Sequence, residues 1–192
     1  MLISRIDRAV PFRVLEKVRN SVRVKRAGRE FSVPIGPGTR AWARWRPTWK
    51  SQLVAQALPV SQRDGVFVDV GANVGQTLLD YLAVGLAGGY VGFEPISACA
   101  AFVQAVIDEN NLVDCSLVPV ALSDSTDVLP IYVPPGDSAS ATVMSELRPG
   151  RHGRTTFIPS QSFDLLWPRL EQGRRIALVK VDVEGAELVS RG

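Results

Sequence analysis

Along this chain the apolar positions switch repeatedly between two periods. Val66-Phe67-Val68-Asp69-Val70 is apolar at every position but Asp69, the pattern of a parallel strand covered on both faces. Gly71 ends that strand, and Gly71 and Gly75 shape a tight turn that lets backbone come close to a ligand. From Thr77 to Val84 the period becomes helical, with Leu78, Leu79 and Leu82 on the apolar side. The alternation then repeats. Gly89-Tyr90-Val91-Gly92-Phe93-Glu94-Pro95 predicts a second strand that ends at Glu94 and is stopped by Pro95. A helix follows, with Ser97 as its cap and Ala101, Phe102, Ala105 and Val106 facing inward. Cys115–Leu122 predicts a third strand, placed at a sheet edge by Pro119. Leu129–Val133 and the short Phe157–Pro159 are extended, and Ser162 or Asp164 caps a brief helix through Leu170. Arg175–Val183 is a strong central strand that ends at Glu184-Gly185. Strands that alternate with helices predict an α/β fold with a parallel sheet.

Upstream of the first core strand the pattern is different. Ile3, Ile6, Val10, Val14 and Val18 recur at helical spacing among basic residues, and Pro11 breaks or kinks that helix. Such a helix packs on its own domain with solvated arginines, or makes weak contact with an anionic membrane surface. Val22 and Val24, then Phe31 and Val33, alternate about Ala27-Gly28 and predict a hairpin. Residues 34–47 read as a loop rich in Gly and Pro, and Trp49–Leu58 as a helix. Trp42, Trp45 and Trp49 are interleaved with Arg40, Arg44 and Arg46. Two readings compete: a base-stacking surface for nucleic acid, or tryptophans that cover a core edge with arginines stacked on them. The second is the commoner use, and no nucleic-acid partner is expected. The organisation expected is a basic helix-and-hairpin extension over residues 1–45 and one domain over 46–192.

Charge sharpens that division. Residues 1–30 hold nine Lys/Arg against three acids, a net +6, whereas the remainder is net −3. The basic character therefore belongs to the front end and not to the glycine turn. The chain is 192 residues long and 46% hydrophobic, enough for one domain with a real core. No apolar run approaches the roughly 18 residues of a membrane span. Charges interrupt the N-terminus too often for a signal peptide, so a cytoplasmic protein is expected. Cys99 and Cys115 have no metal-type spacing and read as buried, reduced thiols. The single histidine, His152, lies among Arg151, Gly153 and Arg154, so no metal site is expected.

The chemistry concentrates at strand ends. Ligands of open α/β sheets bind beyond the carboxyl ends of the strands, where the strand order reverses. Asp69, Glu94, Asp182 and Glu184 all fall there, and Lys180 is two residues further in. A site of that sign repels a pyrophosphate and suits a cationic ligand. A dinucleotide fingerprint also wants G-x-G-x-x-G, whereas here Ala72-Asn73 stand where the second glycine belongs. No G-K-[ST] follows the glycines, which disfavours a phosphate-binding P-loop. The D-x-G-x-x-x-G form of Asp69, Gly71 and Gly75 resembles the first motif of methyltransferases that use S-adenosylmethionine (SAM), a donor with a sulfonium, an ammonium and no phosphate. Glu94, 23 positions after Gly71, suits hydrogen bonds to ribose hydroxyls, a feature that a NAD-type oxidoreductase would share. Three residues are candidate bases for an acceptor hydroxyl: Asp182, Glu184 and His152. Each has a plainer reading: Asp182 as partner of Lys180, Glu184 as a first-turn acid of a following helix, His152 as a solvated loop residue.

Four segments in order, D-V-G-A-N-V-G-Q, G-F-E-P, V-P-V-A-L-S-D and K-V-D-V-E-G-A-E, resemble the FkbM family of SAM-dependent methyltransferases, over roughly residues 45–192. The resemblance implies a Rossmann-like class I methyltransferase sheet and methylation of hydroxyl oxygens, on sugars, polyketides or lipid-linked glycans. It implies that Asp69, Gly71, Ala72, Asn73 and Gly75 line the methionine part of SAM, that Glu94 with Pro95 holds the ribose, and that Ala121 and Leu122 lie near the adenine. Asp182 and Glu184 would face the reacting end. The family sheet runs 3-2-1-4-5-7-6, so a partial sheet, 3-2-1-4, is expected here, with the fourth strand an apolar edge through which the chain can dimerise. Two other classes remain open: a dinucleotide oxidoreductase, and a non-catalytic protein that keeps the fold and acts by binding.

Overall fold

The computed structural model describes residues 21–26, 28–46, 52, 56, 64–85, 88–133 and 154–183. The basic helix expected over residues 1–20, Trp49, His152 and Glu184 lie outside them. So does the helix expected over Trp49–Leu58, apart from Gln52 and Gln56, which are helical.

The hairpin forms as expected. β1 (Ser21–Arg26) pairs antiparallel with β2 (Arg29–Pro34), and Gly28 takes the left-handed conformation at the turn. Its inner face carries Val24, Phe31 and Val33, all buried. The segment after it is not all loop: α1 (Thr39–Arg44) is a short helix. Burial overrides local composition here. Trp42 is fully buried, and the glycines before the helix lie against the Phe102 ring, where a Cβ on Gly38 would stand 2.2 Å from it. Of the two readings of the tryptophan cluster, the core one holds for Trp42.

Among the described residues the central sheet holds four parallel strands in the order β5 (Cys115–Val118), β4 (Tyr90–Phe93), β3 (Val66–Val70), β9 (Ile176–Val181). Numbered within the domain, this is the expected order 3-2-1-4. The chain steps outward from β3 to β4 to β5 and then returns to the other side of β3, so the order reverses between β3 and β9. α2 (Gln76–Val84) follows β3, and α3 (Ser97–Glu109) follows β4. Among the described residues β9 pairs with β3 alone, and Val179 is 48% exposed.

The third predicted strand is broken. Proline has no N–H for the ladder, and the chain leaves the sheet at Pro119. β5 ends at Val118 as an edge strand, and Ala121–Leu122 (β6) joins a separate sheet, three-stranded among the described residues. There β7 (Asp127–Val133) and β8 (Arg154–Gln161) pair antiparallel, so the extended piece at Phe157–Pro159 is part of an eight-residue strand. β6 reaches only Ser160 and Gln161, which leaves Pro159 with a strand neighbour on one side. α4 (Phe163–Leu170) starts after Ser162, with Asp164 in its first turn.

Alternation along the strands splits the core in two. Phe67 and Tyr90 face α2, α3 and the hairpin, where they pack with Leu78, Leu79, Val103 and Trp42. Val66, Val68, Val70, Val91 and Phe93 face the other way, onto Phe163, Trp167 and Leu170 of α4. Phe93 meets Phe163 edge-on at 6.1 Å, and Phe163 stacks on Trp167 at 5.4 Å. Both sheet faces are therefore covered, which explains the near-continuous apolar run of β3. Among the described residues no helix is long and apolar enough to cross a membrane.

Candidate functional site

The polar residues gather where β3, β4 and β9 end, on the side that faces α2 and α3. Gly71, Asn73 and Gly75 all have positive φ, and these conformations fold the chain from β3 back into α2. Three sets of bonds fix that turn. Gly71 and Ala72 both donate their N–H to the Phe93 carbonyl at 3.0 Å, and Gly75 N–H closes on the Ala72 carbonyl at 2.9 Å. Asn73 N–H donates to Glu94 Oε2 at 2.7 Å. From the opposite side, Trp42 Nε1–H donates to the Val74 carbonyl at 2.8 Å.

Glu94 is only 5% exposed, and its other oxygen, Oε1, accepts from Ile96 N–H at 2.8 Å. Ser97 is therefore not the cap of α3. Ile96 occupies that position, and the Glu94 carboxylate takes its amide. Burial raises the Glu94 pKa above the ordinary carboxylate value, against the two backbone amides, which lower it. One carboxylate thus ties the glycine turn to the start of the next helix. Pro95 lies half-buried between these two anchored residues.

Asp69 is fully buried. Its Oδ2 accepts from the Tyr90 hydroxyl at 2.6 Å, and its Oδ1 lies 2.9 Å from Lys180 Nζ, an ion pair that lacks the alignment of a hydrogen bond. Desolvation raises the Asp69 pKa, with the Lys180 charge as the largest opposing influence. The same ammonium donates to the Gly71 carbonyl at 3.0 Å and lies 3.6 Å from Asp182 Oδ2. This corrects the expectation of strand-end acids with no cation among them. Asp69 and Lys180 are register partners on adjacent parallel strands, so the side chain two residues further in reaches the site after all.

Gly71 also makes room for the neighbouring strand: a Cβ on it would stand 2.1 Å from the Asp182 carbonyl oxygen, so its bare Cα lets the end of β9 approach the turn. Gly75 likewise turns its open side to Val103, 3.2 Å from where a Cβ would be, and to Trp42. The turn itself carries little side-chain bulk: Ala72 is buried, and Asn73 Oδ1 lies 3.7 Å from the buried Cys99 sulfur. Cys115 is buried too, and burial, with Asp114 nearby, pushes its thiol up to about 12.

Asp182 follows β9 with its side chain 46% exposed, the most open of the carboxylates here. Ala121 is half-buried and Leu122 buried in β6, where Leu122 packs with Val91 and Phe93. The structure thus brings Asp69, Gly71, Ala72, Asn73, Gly75, Glu94 and Asp182 to one end of the sheet, and sets Ala121 and Leu122 beyond the end of β5.

Sequence reasoning set Lys180 beside Asp182, which the 3.6 Å separation bears out, and offered a core reading for Trp42. It missed the pairing of Lys180 with Asp69, the bond from Tyr90 to Asp69 and the reach of Trp42 to the turn. The signal for Tyr90 was Gly92. A Cβ on Gly92 would lie 2.9 Å from both Tyr90 Cε1 and its hydroxyl, so the missing side chain makes room for the phenol to lie back toward Asp69. Gly92 is the register partner of Asp69 on β4.

Residues 69–189 match the family model described as Methyltransferase FkbM domain. Among solved structures, the chain is similar to M. jannaschii TYW2 in complex with AdoMet, at 16% identity over 52% of this chain and 43% of that one, with a TM-score of 0.36. It is similar to P. horikoshii TYW2 in complex with MeSAdo, at 15% identity over 54% and 37%, with a TM-score of 0.35. A third is aTrm5 in complex with tRNALeu, at 14% identity over 60% and 41%, with a TM-score of 0.34. The chain spans less than half the length of each of these. No curated protein matches it.

Proposed function

The chain belongs to the FkbM methyltransferase family, and we propose that it transfers a methyl group from SAM to a hydroxyl oxygen of a small-molecule or glycan acceptor. The observation that carries this reading is the bonded glycine turn beside Asp182 at the point where the strand order reverses. Sheets of this kind bind their ligands in that crevice. Its chemistry fits a cationic donor. Among the described residues Asp69 and Asp182 flank the Lys180 ammonium at 2.9 and 3.6 Å and Glu94 adds a third carboxylate at the neighbouring strand end, an excess of acids from which a pyrophosphate gains little.

Within this reading Gly71, Ala72, Asn73 and Gly75 present turn backbone to the methionine part of the donor. Asp69 acts from beneath, by holding Lys180. Glu94 takes the ribose with the lone pairs that Asn73 and Ile96 leave over, and Pro95 shapes that edge. Ala121 and Leu122 border the adenine. When bound, SAM supplies an electrophilic methyl group on its sulfonium. The chain's part is alignment and proton removal. Holding donor and acceptor in line can offset about 7–11 kcal/mol of a barrier. Asp182, open to solvent on one side and near Lys180 on the other, takes the acceptor proton, with Glu184 as the alternative base that the family resemblance suggests. A dimer through the outer edge of β9 is compatible with this arrangement.

Titration calorimetry with SAM, S-adenosylhomocysteine and NAD tests the donor. Binding of NAD, and of neither SAM-type ligand, would reject the proposal in favour of an oxidoreductase. Binding of SAM with no methyl transfer across a panel of hydroxyl acceptors would favour a non-catalytic role. For Asp182→Asn we expect turnover to fall about 100-fold or more, as for loss of a general base, while SAM affinity stays within about threefold. Unchanged turnover would remove Asp182 from the mechanism.

A further inference from the structure

The hairpin and α1 lie outside the residues that the family model matches, yet they reach the centre of the glycine turn. Trp42 is fully buried, and its indole N–H ends on the carbonyl of Val74, between Asn73 and Gly75. The indole also lies 3.5–3.6 Å from where a Gly75 Cβ would stand. The Val74–Gly75 peptide is thereby held at both ends, its carbonyl by Trp42 and its N–H by the Ala72 carbonyl. Gly75 is the residue best able to let that peptide rotate, since it has no Cβ and already sits at φ +76°. Rotation there would re-aim the turn backbone from Asn73 to Gly75, which the donor is read to face.

Trp42 is itself held in place. Phe31 meets it edge-on at 5.7 Å, and Arg26 Nε donates to its backbone carbonyl at 3.0 Å. A second indole bond, from Trp45 Nε1 to Asp80 Oδ1 at 2.7 Å, joins the residue that follows α1 to the body of α2, away from the turn. The two indole N–H groups thus end at different places, one on a carbonyl of the turn and the other on the Asp80 carboxylate within α2.

We infer that Trp42 is a positioning residue for the methyl donor, so that the hairpin unit is part of the donor site and not an appendage to it. This rests on the SAM reading above. The test compares Trp42→Phe and Trp45→Phe, each of which keeps an aromatic ring and loses one N–H bond. Trp42→Phe is expected to weaken SAM by about tenfold in calorimetry, the scale of one lost buried hydrogen bond, and to raise KM for SAM with kcat within about twofold. Trp45→Phe is expected to lower Tm and leave SAM affinity unchanged. Hydrogen exchange on the unaltered chain gives a readout that needs no variant: added SAM should slow exchange over residues 39–45 as well as over the turn. Equal SAM affinity in wild type and Trp42→Phe overturns the inference, as does equal weakening in both variants, or absence of protection over 39–45. A wild-type chain that binds no SAM removes the functional reading and this inference with it.

Discussion

Lys180→Met should destabilise the protein by about 3 kcal/mol at neutral pH, the low end of the range for breaking a buried ion pair. The expectation rests on Asp69. That carboxylate has no exposure, and apart from the Tyr90 hydroxyl its described partner is the Lys180 ammonium, which is itself 23% exposed. With the ammonium gone, Asp69 either stays charged without a counter-ion or takes up a proton. Proton uptake is the escape that keeps the cost at the low end. The pH dependence follows from the sign of the shift. Burial raises the Asp69 pKa above its unfolded value, so in the wild type this group's contribution is fully present at low pH and lost as pH rises through the folded pKa. Lys180 opposes that shift. Its removal raises the folded pKa further and widens the window over which stability is lost. The deficit of Lys180→Met should therefore grow as pH rises above the wild-type folded pKa and close as pH falls below it. Urea unfolding at several pH values measures it. A deficit of the same size at every pH would mean that the ammonium matters chiefly through its bond to the Gly71 carbonyl.

The same residue shows how far the sequence could be read. Strand identity was legible, because β3 and β4 are short apolar runs bounded by glycine or proline and each is followed by a helical period, whereas the strand order came from the family resemblance. The positions of Asp69, Glu94 and Asp182 at strand ends came with that reading. Lys180 did not, because its placement depends on register. Two parallel strands can slide by two residues with no change in which faces are apolar, and only the observed pairing sets Asp69 opposite Lys180. Trp42 was hidden for another reason. Its segment, Gly36 to Arg46, is rich in glycine and arginine and looks like loop by local preference, yet it is helical because Trp42 and Phe102 bury surface against each other's elements. Pro119 was read as the mark of an edge, and it also sends the chain into a second sheet, a choice set by β8 some forty residues later.

Gly71→Ala should be strongly destabilising, at about 2–5 kcal/mol. Two costs add. Gly71 has φ +81°, and an L-residue in the left-handed region costs roughly 1–2 kcal/mol. The new methyl would also lie 2.1 Å from the Asp182 carbonyl oxygen and 3.0 Å from its carbonyl carbon. Those atoms are backbone and cannot rotate aside, so the end of β9 must move, at the roughly 1–3 kcal/mol typical of overpacking. That movement strains the bond from Asp182 N–H to the Val70 carbonyl, 3.0 Å long, and the bond from Lys180 to the Gly71 carbonyl. Gly28→Ala is the matched control. It has nearly the same φ, +75°, with nothing within 4 Å of the added carbon, so it carries the first cost without the second. Urea unfolding of both variants separates strain from collision. If Gly71→Ala proved no worse than Gly28→Ala, the contact between the turn and β9 would have room to give. As it stands, Asp182 is placed by its own backbone against the turn, and any shift there displaces the carboxylate proposed to take the acceptor proton.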